Sequence, residues 1–163
     1  MSIERAKELC HTGRSYGGAC CLLYRATIDY ASEEGIEDRG AYAFNGPNSL
    51  AITYLLGLSL ELMLKGAVVA LDPDADATYL QKKIGHDLVA ALDQAEYRGF
   101  TSKADNLRQL VNVLREPYRQ HWLRYERPDR FNLPDNFDQI VVILETLEED
   151  VRAAVDVIQR TAS

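Results

Sequence analysis

Apolar residues recur every three or four positions along most of this chain, and no stretch alternates convincingly every second residue. The pattern therefore predicts helices and no strand. The clearest case is near the C-terminus, where Ile140, Leu144, Leu147, Val151, Val155 and Ile158 follow at steps of four and three, with Glu145, Glu148, Glu149 and Arg152 between them. This predicts a helix over 136–161 with one packed seam. Leu107, Leu110, Val111 and Leu114 predict a second helix, for which Thr101 and Ser102 offer N-caps. On a helical wheel its stripe continues through Tyr118, His121 and Tyr125, although Pro117 interrupts the backbone hydrogen bonding there. Leu88, Ala91, Leu92 and Ala95 give the inward face of a shorter helix that Asp87 is placed to cap. Upstream, a helix over 3–10 is expected to stop near Gly13, and Gly17-Gly18 to separate it from another over 18–34. Residues 34–47 read as a glycine-rich loop closed by Pro47, which opens a third helix running to Leu71. Residues 72–86 read as a polar connector and 127–136 as a loop rich in helix breakers.

Several amphipathic helices with short or medium loops indicate an all-α, up-and-down bundle of about five to six helices. The 163 residues, 47% apolar and 26% charged, match one globular domain over 1–163 with a core that needs no staples. The most apolar stretch, 50–71, has the length of a membrane span, but Glu61 and Lys65 lie inside it. They stand four apart in the favourable acid-before-base order, as expected for the central helix of a soluble bundle. The N-terminal segment MSIERAKELC is too charged for a signal peptide. Cys10, Cys20 and Cys21 form no disulfide or zinc framework and read as free thiols of a cytoplasmic protein.

Charge changes the picture. The formal net charge is -7, yet residues 115–130 hold five arginines (115, 119, 124, 127 and 130) against Glu116, Glu126 and Asp129. That segment carries +2 and the remainder -9. Focused basic charge matters more to nucleic-acid binding than the sum does. Other chemistry is not indicated. Asp72, Asp74 and Asp76 open like a calcium loop, but the sixth position is Ala77 and the twelfth Lys83. GRSYGGAC lacks the lysine of a phosphate-binding loop, Gly-x-Ser-x-Gly is absent, and His11, His86 and His121 lack metal-ligand spacing. No metal or cofactor is implied.

Arg115 and His121, in REPYRQH, are separated by five residues; LSLELMLKGAVVAL precedes them with Glu61 and Lys65, and IGHDLVAAL with His86 and Asp87. In this order the segments resemble the HEPN superfamily of helical-bundle proteins, whose signature is Arg-x(4–6)-His, over residues 47–125. The resemblance implies a metal-independent RNA endonuclease of the toxin or phage-defence type. Arg115 would bind the scissile phosphate and His121 would act as general acid/base, with the ribose 2′-hydroxyl as nucleophile, so that single-stranded RNA is cut and DNA spared. Arg119 and Arg124 would add phosphate contacts, and Tyr118 and Trp122 would stack bases. The resemblance also implies a homodimer sharing one cleft, and a nucleotidyltransferase-type antitoxin partner. Glu116 and Pro117 inside the motif, and the acidic remainder, point the other way. They favour a non-catalytic module of the same fold, used for dimerisation or partner binding, with Arg115 tied to an acid of the last helix and the aromatics packed.

Overall fold

The apolar stretch becomes the central helix. In the computed structural model, which describes residues 2–119 and 136–161, α3 (Ser49–Leu71) is surrounded by the other long helices. It is apolar and long enough to cross a membrane, but 67% of its apolar window is buried inside the bundle. A helix enclosed by protein needs apolar residues all round, as found here in Ile52, Leu56, Leu60, Leu64, Val68 and Val69.

Around it stand α1 (Ser2–Glu33), α2 (Arg39–Asn45), the short α4 (Ala77–Tyr79) that continues as a π-helical turn over Leu80–Ile84, α5 (Leu88–Tyr97), α6 (Leu107–Arg119) and α7 (Phe137–Thr161). No strand occurs among the described residues. The protein is an all-α helical bundle, as the periodicity predicts.

Two helices expected before residue 34 are one. Gly13, Gly17 and Gly18 do not break α1, because two of them serve packing instead. A Cβ at Gly13 would lie 2.8 Å from Met63 Cγ and 2.9 Å from the Ser59 carbonyl oxygen; one at Gly17 would lie 2.9 Å from Ser59 Oγ. Bare backbone at both lets α1 approach α3 until Ser59 Oγ donates to the Gly13 carbonyl at 2.7 Å. The close contact outweighs the roughly 1 kcal/mol per glycine that helix propensity costs.

Elsewhere boundaries move for local reasons. The loop 34–47 contains α2, capped by Asp38 through the Ala41 amide at 2.9 Å. The connector 72–86 contains α4, capped by Asp76, and Arg98 ties it to α5 by bonding Asp72, Gln94 and Tyr79. Ser102 does not cap α6, which begins at Leu107; its hydroxyl bonds Asp150 of α7 at 2.8 Å. Asn136 and Gln139 cap α7 reciprocally, each side chain accepting from the other's amide. The seam of α7 is buried from Ile140 to Val155, and Ile158 is half-buried.

Candidate functional site

A carboxylate inside an apolar helix must find partners or lose its charge. Glu61, whose side chain is 4% exposed, finds three. One turn along α3, Lys65 Nζ approaches its Oε1 at 2.5 Å. From α6, the Tyr118 hydroxyl donates to Oε2 at 2.6 Å, and His86 Nδ1 lies 3.0 Å from the same oxygen. An ionised carboxylate only accepts, so that contact requires the proton on Nδ1. Lys65 also donates to the Gly85 carbonyl at 2.7 Å. Gly85 has φ +58, a left-handed conformation that glycine adopts without strain, and it turns the chain from the π-helical turn into α5.

Tyr118 reaches Glu61 because Gly57, one turn before Glu61, has no side chain. A Cβ there would overlap Tyr118 Cδ2, so the ring lies directly on the α3 backbone. Burial first, and then the hydrogen bond and charge of Glu61, push the phenol pKa well above its ordinary value. The hydroxyl is therefore a fixed donor. Tyr118 is 1% exposed, which leaves no face for a nucleobase and removes it from the expected stacking set.

Beside this cluster Asp87 bridges two helices. Its Oδ1 accepts from the Val89 and Ala90 amides at 3.0 and 3.1 Å, capping α5 as expected. Its Oδ2 accepts from Arg115 Nε and Nη2 at 3.2 and 2.9 Å, and Arg119 Nη1 lies 3.7 Å away. Partial burial works against the charge on Asp87, but the Arg115 guanidinium and the two amides together hold its pKa below the ordinary value. The same bond raises Arg115 in return. The partner of Arg115 is thus the α5 cap and not an acid of the last helix. Arg115 and Arg119 remain 41% and 54% exposed, and the His86 ring 61%.

The structure brings Arg115 and Arg119 together at the start of α5. His121, Trp122 and Arg124 lie outside the described residues. The sequence reading missed the meeting of Glu61, His86 and Tyr118. A signal was present: Gly57 and Glu61 lie one turn apart in a buried helix, leaving room for a large side chain with a polar tip. No group of three or more potential metal ligands occurs among the described residues.

The site is a buried acid–lysine–tyrosine cluster joined to a half-exposed arginine corner, set in an all-α bundle. No family model, curated protein or solved structure matches the chain.

Proposed function

We propose that this chain is a HEPN-like, cytoplasmic, non-catalytic module that dimerises or binds a protein partner. The observation that carries the reading is the commitment of Arg115 to Asp87 by two hydrogen bonds. A phosphate-binding guanidinium offers its paired donors to the substrate, and here the Nε/Nη2 edge already faces Asp87. Charge around the corner supports the same reading. Among the described residues, Lys65, Arg115 and Arg119 stand against Glu61, Asp87 and Glu116, three cations to three anions. A balanced corner on a chain of net charge -7 offers RNA phosphates little net positive charge to neutralise them.

The second reading is the metal-independent RNA endonuclease with Arg115 and His121 in the roles given above, held in check by a nucleotidyltransferase-type antitoxin. The half-exposure of Arg115 and Arg119 favours it, since an incoming phosphate could displace Asp87 from both. One experiment separates the two. Wild type, Arg115→Ala and His121→Ala are incubated with single-stranded RNA in EDTA, and the wild type is sized by light scattering. The module reading expects intact RNA in all three samples and, where the chain pairs with itself, an assembly larger than one chain. RNA cut by wild type and spared by His121→Ala overturns it in favour of the nuclease.

A further inference from the structure

Away from the Glu61 cluster, α1 and α7 enclose a groove of about 380 Å³, within the range of small-molecule sites. Lys7, His11 and Arg14 follow at steps of four and three, so they share one face of α1, and Arg152 faces them from α7. Cys10 and Val155 supply apolar lining. Burial first, and then the charge of Glu148, push the Cys10 thiol up to about 11, so it is a neutral wall.

The arginines are gathered by one shared carboxylate. Glu148 Oε1 lies 3.3 Å from Arg14 Nη1 and 3.8 Å from Arg152 Nη1. These are loose ion pairs, and each guanidinium carries five N–H donors in a planar fork. Two cations share one acid, and all three side chains line the groove. With Lys7 and Asp156 added, the lining has three fixed cations against two anions, although the chain as a whole is acidic and Glu4, outside the lining, lies on Lys7. The contact of Lys7 with Glu4, at 3.5 Å, is long and exposed.

We propose that this groove binds a phosphomonoester of about mononucleotide size, with Arg14 and Arg152 clamping the phosphate and the uncharged part lying against Cys10 and Val155. Planar, bidentate donors are the side-chain chemistry best matched to a phosphate dianion. The inference is independent of the function assigned to the Arg115 corner.

Equilibrium dialysis of the full chain against adenosine 5′-monophosphate, inorganic phosphate and adenosine tests it. The monophosphate is expected to bind, and adenosine is not. In the double variant Arg14→Ala/Arg152→Ala affinity should fall about tenfold or more, in line with the loss of charge-assisted hydrogen bonds. Lys82→Ala, an exposed cation on the π-helical turn, should leave it unchanged. Both arginines are exposed, and circular dichroism checks that the double variant keeps its helices. No retention of the monophosphate by wild type, or equal retention by the double variant, overturns the site. Phosphate held as tightly as the monophosphate overturns the role of the apolar wall.

Discussion

Glu61 sets the terms for every residue it touches. Removing one member of a buried ion pair strands the other, at a typical cost of about 3–5 kcal/mol. Glu61→Ala leaves Lys65 buried with only the Gly85 carbonyl, and leaves the Tyr118 hydroxyl without its acceptor. A loss in that range is expected from urea denaturation; a loss under about 1 kcal/mol would mean that water replaces the network. Tyr118→Phe removes one hydrogen bond to a charged group and keeps the ring on Gly57, so a smaller loss of about 1.5–3 kcal/mol is expected. Asp87 adds a pH dependence. Its folded pKa is depressed, so its contribution is complete above the ordinary carboxylate range and is lost as pH falls through the folded value. Asparagine caps helices about as well as aspartate but carries no charge. The stability gap between wild type and Asp87→Asn, read from denaturation midpoints, should therefore stay open at neutral pH and close in acid. A gap that is the same at pH 7 and pH 3 would show that the Arg115 pair adds nothing.

The helices themselves divide into those the periodicity dictates and those a neighbour decides. The face of α5, the stripe of α6 and the seam of α7 were legible because each buries one side against a core, and a 3.6-residue period records that directly. The continuity of α1 was not legible, because a glycine that ends a helix and a glycine that admits a neighbouring helix look alike in one sequence. The site was legible in part for the same reason. Spacing gave the Glu61–Lys65 pair and the Asp87 cap, both local. The bonds from Tyr118 and His86 to Glu61 and from Arg115 to Asp87 span 25 to 57 residues, and depend on how α5 and α6 meet α3. The glycines supply the test. Gly18→Ala meets nothing within 4 Å and should stabilise the protein by about 0.5–1 kcal/mol through helix propensity. Gly57→Ala meets a ring held in place by Glu61 and should destabilise it by about 1–2 kcal/mol, overpacking outweighing the propensity gain. Thermal melts that move in the same direction for both variants would contradict this division.

At the scale of the whole molecule, α3 is the element against which α1, α5, α6 and α7 all pack, while α2 lies against α1 and α3, and α4 packs chiefly on the π-helical turn that continues it. Most of α3 from Ile52 to Ala70 is buried, whereas α2 buries only Ala43 and α4 nothing. Stability should follow that difference. An amide in α3 cannot meet water until the surrounding helices separate, so it should exchange only when the molecule unfolds globally. The amides of α2 and α4 can open with little loss of buried apolar area, and should exchange about a hundredfold faster or more. The Glu61 network sharpens the expectation, because it fastens α3 to α6 and to the start of α5 by polar bonds that must break together. In Glu61→Ala, protection of α5 and α6 should then fall further than that of α1, which packs on α3 through Gly13, Gly17 and Ser59, away from this network. Hydrogen exchange read by mass spectrometry on wild type and variant resolves the order. A uniform drop across α1, α5 and α6 would mean that the bundle opens as one unit and that the cluster merely adds to its total stability.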